Sequence, residues 1–205
     1  MSASLVYRSA RGYELVMLAL YGRHYAGRMR AVADRVRPGA SVLELCPGPG
    51  ALYQRHLRAR AGSYTAVDVN ERFLARLRLL GARTIALDLS CGDESLPAAD
   101  VVIMQASLYH FLPDARSIVE RMLAAARERV IVSEPIRNLS TSRVPLVARV
   151  GRGGTDPGGA GDGHRQRFDE RTLARLMDSY RRLWVESFKI PGGREQVYVL
   201  DPRLG

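Results

Sequence analysis

The stretch Val42-Leu43-Glu44-Leu45-Cys46-Pro47-Gly48-Pro49-Gly50 constrains this chain more than any other. Val42, Leu43 and Leu45 around a single acid read as a buried parallel strand. The strand runs straight into a Gly/Pro turn. Helical spacing then begins at Leu52, Arg55, His56 and Leu57. Strand, tight turn and helix start bring a ligand against bare backbone and a helix N-terminus. Gly48 and Gly50 lack Cβ, so the chain can turn sharply there and leave its amides open.

A dinucleotide fingerprint needs a small third residue in G-x-G-x-x-G or -A. Here Gly48-Pro49-Gly50-Ala51-Leu52-Tyr53 puts a bulky Tyr53 at that place. The phosphate loop G-x-x-x-x-G-K-[ST] is missing as well. What the segment resembles is motif I of the class I S-adenosylmethionine-dependent methyltransferases, E/D-x-G-x-G-x-G. This chain reads Glu44-x-Cys46-x-Gly48-x-Gly50, with Cys46 in place of the first glycine.

Further matches follow in order. A second strand, Ser63 to Asp68, ends in an acid about 20 residues after the turn, where a carboxylate can accept from both ribose hydroxyls. Val69-Asn70 and a helix from Glu71 to Leu80 come next. A third strand, Thr84 to Leu87, ends at Asp88-Leu89. A fourth, Asp100 to Met104, leads to Gln105-Ala106-Ser107-Leu108-Tyr109-His110-Phe111, similar to the Leu-x-His segment of small-molecule methyltransferases. A fifth, Arg129 to Ser133, ends at Glu134-Pro135. The resemblance covers essentially the whole chain.

The resemblance implies S-adenosylmethionine as cofactor and S-adenosylhomocysteine as product. It places Leu45, Cys46, Pro47, Gly48 and Gly50 around the cofactor. Glu44 would bind loop amides and the cofactor's amino group, directly or through water. Asp68, with Val69 beside it, would hold the ribose. Asp88 would meet the adenine amino group, with Leu89 packed on the ring. Gln105 and Ala106 would follow strand four beside the cofactor.

The implied fold is α/β: a Rossmann-like, seven-stranded, mostly parallel sheet with helices on both faces and an antiparallel C-terminal hairpin. Alternating strands and helices as far as Pro135 argue independently for a parallel sheet covered on both sides. Asp114 is expected as N-cap of a helix over Ala115 to Arg127. Asp169 is expected to cap another that runs to about Arg181. Leu183 to Ile190 and Glu195 to Leu200, joined through Pro191-Gly192-Gly193, form the hairpin. The expectation is one domain over 1–205, with residues 1–37 as a helical cap. Tyr13, Val16, Met17, Leu20, Tyr21 and His24 recur at helical spacing, which predicts a helix from about Gly12 to Arg37, stopped by Pro38-Gly39. Residues 151–163, rich in glycine, hold no core and predict a mobile lid.

Hydrophobic and charged contents of 46% and 25% are those of an ordinary globular protein. The formal net charge is +10. Lys189 is the single lysine, and the arginines are spread along the chain instead of forming a block. That distribution reads as solvated helix faces, with an anionic small substrate as the other option, and nucleic acid is not expected as a partner. Two cysteines, Cys46 and Cys91, make neither a disulfide framework nor a metal site, and point to a reducing, cytoplasmic compartment. The apolar run from Leu15 to Tyr21 is short, is abutted by Glu14 and lacks a cleavage signal, so neither a leader nor a membrane span is expected.

Methyl transfer from a sulfonium is an in-line displacement in which the protein positions the partners and excludes water. His110, after strand four, is the candidate general base, with Tyr109 lining the pocket. Tyr7, Tyr21, His24 and Tyr25 are candidates to close the site from the N-terminal helix. Glu134 and Arg137, after strand five, are candidates for contact with substrate, Arg137 by pairing with an acid. Gln105-Ala106-Ser107-Leu108 is not the Asp/Asn-Pro-Pro-aromatic signature of DNA amino methylases. No cysteine nucleophile for cytosine follows strand four, and no acidic triplet suits a catechol-type metal. A small metabolite, methylated at oxygen or nitrogen, is the expected acceptor. A non-methylating enzyme on this fold, or a cofactor-binding partner subunit marked by Cys46, are the alternatives. Substrate identity and the choice of monomer or homodimer stay open.

Overall fold

The computed structural model describes residues 18, 22–91, 94–137 and 166–205. Among the described residues seven strands form one sheet: β1 (Ser41–Leu45), β2 (Ser63–Asp68), β3 (Arg83–Ala86), β4 (Ala99–Gln105), β5 (Ala126–Pro135), β6 (Trp184–Lys189) and β7 (Glu195–Leu200). Their order is β3-β2-β1-β4-β5-β7-β6. The first five run parallel, and β7 pairs antiparallel with both β5 and β6. The sheet and terminal hairpin are those expected from the sequence.

Helices cover both faces, and the strands' two-residue period decides which side chains meet which helix. Leu43, Leu45, Val102, Met104, Val130 and Val132 pack against Ile118, Val119 and Met122 of α3 (Ala115–Ala125) and Leu173 and Met177 of α4 (Glu170–Asp178). Val42, Ala66, Val101, Ile103 and Ile131 pack the other way. They meet Tyr25, Met29 and Val32 of α1 (Tyr25–Ala33) and Leu74 and Leu77 of α2 (Glu71–Leu79). A helix also opens at Ala51, and its Tyr53–Leu57 turn is wound as π.

Some expected helix boundaries shift. The first helix ends at Ala33, not at Arg37, because the backbone turns through 34–36 and Pro38 disfavours helix at the residue before it. Within the described residues it is preceded by a 3₁₀ turn, Gly22–His24. The helix after Asp114 stops at Ala125, where pairing of Ala126 with Ala99 draws the chain into the sheet. Asp114 takes the N-cap place but makes no side-chain capping bond there. Asp169 does cap α4: it accepts from Thr172 N at 2.8 Å while Thr172 Oγ1 accepts from Asp169 N at 2.9 Å. The stretch 151–163 lies outside the described residues.

Candidate functional site

Strand order reverses between β1 and β4, and a doubly wound sheet takes its ligands outside the strand ends at such a point. Both strands leave the sheet there through left-handed residues that are not glycine. Cys46 has φ 53° and Ala106 has φ 56°. Such conformations cost about 1–3 kcal/mol each and gather at functional sites. The two turns are tied together, since Ser107 Oγ donates to Cys46 O at 3.4 Å. Cys46 thus keeps the backbone conformation that a glycine would favour, although it carries a Cβ.

The two glycines of the first turn have different reasons to be glycine. Gly50 (φ 78°) is locked by packing: a Cβ there would lie 2.3 Å from Leu77 Cδ2 on α2. At Gly48 (φ 57°) a Cβ would meet no atom of the described residues within 4 Å. The space in front of Gly48 is open. Behind the turn, Tyr53 fills the helix–strand slot by stacking on Tyr64, ring centroids 4.1 Å apart.

Asp68, at the end of β2, reaches this turn. Its Oδ2 accepts from Gly48 N at 3.4 Å and its Oδ1 from Asn70 N at 2.8 Å. Burial pushes its carboxyl above the ordinary range, against the pull of these amides. Each oxygen retains a lone pair for a further donor. Val69 beside it is exposed. Asp88 accepts from Ser90 N at 2.9 Å, which holds its carboxyl low and closes a tight turn. Leu89 is buried in the core under α3.

Glu44 differs from expectation. Its carboxyl accepts from Tyr64 Oη at 2.6 Å instead of from a loop amide, because its parity on β1 turns it to the α1 face. Burial raises it to about 7 despite that phenol and the Arg28 charge. The sequence reading missed the pair beside it. Arg28 of α1 donates from Nε to both oxygens of Glu195 on β7, at 3.0 and 2.9 Å, and both side chains are buried. A signal existed, since Arg28 falls four residues after His24 on the stripe that carries Tyr21. Gln105 Nε2 donates to Arg28 O at 3.3 Å. Pro47 lies half-buried within the turn.

Glu134 is wholly buried at the end of β5. Its Oε1 accepts from Ser107 N and Leu108 N, both at 2.6 Å, and so fixes the segment after β4. Burial raises this carboxyl to about 8, against those two amides. Tyr109 and His110 follow on a 3₁₀ turn, Leu108–Phe111, with ring centroids 4.0 Å apart. Tyr109 is buried beneath the Arg167 guanidinium, 3.8 Å from its ring centroid, while His110 is half-buried.

The N-terminal candidates divide. Tyr25 is a core residue of α1, 1% exposed, not a pocket wall. His24 packs against the hairpin turn, where a Cβ on Gly192 would lie 3.0 Å from its ring. Arg137 is exposed and lies near the same turn at Gly193. Tyr7 and Tyr21 lie outside the described residues. Burial first, then the carboxylates of Asp68, Glu134, Asp88 and Glu44, push the Cys46 thiol well up, so it stays protonated. Among the described residues no group of three or more His, Cys, Asp or Glu is placed to hold a metal ion, and no helix is long and apolar enough to cross a membrane.

No protein-family model and no curated protein matches the chain. Solved structures do match. Magnesium protoporphyrin IX methyltransferase from Synechocystis PCC 6803, with bound S-adenosylhomocysteine, superposes with a TM-score of 0.62 at 16% identity, over 95% of each chain. The N-methyltransferase NodS from Bradyrhizobium japonicum WM9 gives 0.57 at 14% identity, over 87% of this chain and 93% of that one. An O-methyltransferase family 2 protein from Planctomyces limnophilus, in complex with apigenin, gives 0.60 at 14% identity, over 94% of this chain and 61% of that one. At these identities the likeness is one of fold, and the fold is that of the class I methyltransferases.

Proposed function

We propose that this chain binds S-adenosylmethionine across the ends of β1, β2 and β4 and transfers its methyl group to oxygen or nitrogen of a small molecule. The observation that carries the reading is the open space at Gly48, framed by the strained turns at Cys46 and Ala106 and bounded by Asp68. A position that needs glycine, and where a Cβ would meet only empty space, fits a ligand seated on backbone. When bound, the cofactor supplies a methyl group already activated on a sulfonium. Asp68 has acceptor capacity left for ribose hydroxyls. Asp88 and exposed Val69 are the candidates for the adenine end, and Pro47, Ala106 and Gln105 for the amino-acid end. Leu45 and Leu89 support the cradle from the core.

The chain's own task is then to position the acceptor and exclude water. His110 stands on the turn beyond Ala106 and is the candidate to take a proton from a hydroxyl or ammonium acceptor. His24 and Arg137, beside the hairpin turn, are the candidates at the acceptor's side. Cys46 retains a glycine-like backbone, which supports a binding-competent turn over a subunit that has lost its cofactor.

The test is calorimetry with S-adenosylmethionine and S-adenosylhomocysteine. Asp68→Ala should weaken binding by about tenfold or more, the scale of one charge-assisted hydrogen bond. An unchanged dissociation constant in a folded Asp68→Ala protein would sink the assignment. Labelled cofactor with panels of hydroxyl and amine metabolites, against RNA and DNA, then identifies the acceptor class.

A further inference from the structure

Glu134 has a second oxygen. While Oε1 takes two loop amides, Oε2 is buried and accepts no hydrogen bond. A buried carboxyl oxygen left without a donor marks a place where compensation is missing. The groups that face Glu134 do not supply it. Glu195 on β7 disfavours its charged form and Arg28 on α1 favours it, but these two are bonded to each other and nearly cancel at a distance. At the end of β1 the neighbour is Cys46, itself within the field of Asp68, Asp88 and Glu44. On the 3₁₀ turn, Tyr109 and then His110 follow Leu108. The cleft at the strand ends is therefore acidic in a chain whose formal net charge is +10.

We propose that Glu134 is the buried counter-charge for a cationic group of the cofactor, set behind the Gln105–Leu108 segment and acting on the cleft through it. This rests on the cofactor reading above and adds the charge of the ligand to it. The carboxyl need not touch the ligand, because charges interact strongly across a poorly hydrated interior. In the free protein burial holds the proton on Glu134 up to about pH 8. Entry of a cation favours the carboxylate: the O–H bond breaks, its electron pair stays on the carboxyl, and the proton passes to buffer. The cation is either the sulfonium, which only S-adenosylmethionine carries, or the amino-acid ammonium, which S-adenosylhomocysteine carries too.

Titration calorimetry of the full chain near neutral pH, in two buffers of different ionisation enthalpy, counts the protons released. Roughly one proton is expected with S-adenosylmethionine, and its affinity should rise up to about tenfold per pH unit below pH 8. Release with that ligand alone assigns the sulfonium, and release with both assigns the ammonium. Glu134→Gln keeps a carbonyl for both amides, so it should bind both ligands, release no proton and show a flat pH profile. No release from the parent, or the same release from Glu134→Gln, overturns the proposal. If the variant does not fold, Glu44→Gln decides, since Glu44 is also raised, to about 7: it should release the proton as the parent does, and loss of the release there assigns the proton to Glu44 and overturns the proposal. If neither ligand binds the parent, the cofactor reading fails and this inference falls with it. If both bind without proton release, only the inference fails.

Discussion

The two rims of the sheet treat the same residue types in opposite ways. At the amino ends of β1, β4 and β5 the carboxylates are paired with arginines, Asp100 and Glu128 half-buried and Asp201 buried. Asp100 accepts from Ser41 N at 2.8 Å and from Arg37 at 3.2 Å; Glu128 accepts from Arg37 at 2.8 Å; Asp201 pairs with Arg129 and Arg203. Hydrogen bonds hold all three below their ordinary range. At the carboxyl ends exposed Asp88 is held low by Ser90 N, but Asp68, Glu44 and Glu134 are buried, and burial holds them above their ordinary range. One rim gives each carboxylate an arginine partner. The other keeps carboxyls poorly compensated, the arrangement found where ligands bind.

The hardest test of this contrast is at Gly48. Gly48→Val should abolish detectable cofactor binding, a loss of about a hundredfold or more, equivalent to about 3 kcal/mol or more. A Cβ there meets no atom of the described residues within 4 Å, so the fold should survive, less stable by the backbone strain of about 1–3 kcal/mol that a side chain at φ 57° costs. Calorimetry together with the circular dichroism spectrum checks both halves. Normal binding by a folded Gly48→Val would move the site away from this rim.

A middle-sized effect is expected from the buried acid. Glu44 ionises near 4.5 in the unfolded chain and near 7 when folded. Below the lower value both states hold the proton and its stabilising contribution is fully present; that contribution is lost as pH rises through about 7. Stability should therefore fall from about pH 5 to pH 8 by up to a few kcal/mol on this account. Glu44→Gln should flatten the fall, as read by urea denaturation at several pH values. Parallel slopes for parent and variant would show that Glu44 does not hold a proton in the fold.

The smallest effect belongs to the other rim. Arg37→Ala removes partners of both Asp100 and Glu128, yet the side chain is exposed. Its denaturation midpoint should barely move, and high salt should erase the difference. A shift larger than that of Glu44→Gln would remove the distinction between the rims.

Strands β1, β2 and β4 were legible because each is an apolar run ending at a turn or polar segment, and local sequence dictates that pattern. The glycine turn and Asp68 were legible for the same reason, as was the capping of α4 by Asp169. The ends of α1 and α3 were not, since a sheet pairing at Ala126 and a turn before Pro38 decide them. Gly48 and Gly50 look alike in sequence; only the approach of Leu77 separates the packed one from the open one. Helical spacing places Arg28 on the inward stripe, but its partner Glu195 lies 167 residues away, and no local pattern names it. Likewise the sequence names Glu44 as an acid in a strand, but the pleat aims it at Tyr64.

By itself, then, the sequence determined the order of elements along the chain and the residues that end its strands, because these follow from short-range periodicity and turn chemistry. The tertiary structure decided which acids are buried, which are paired and which are left with an unsatisfied oxygen. Those are properties of three-dimensional surroundings: desolvation and distance to counter-charge exist only once α1, β5 and β7 have closed around the strand ends.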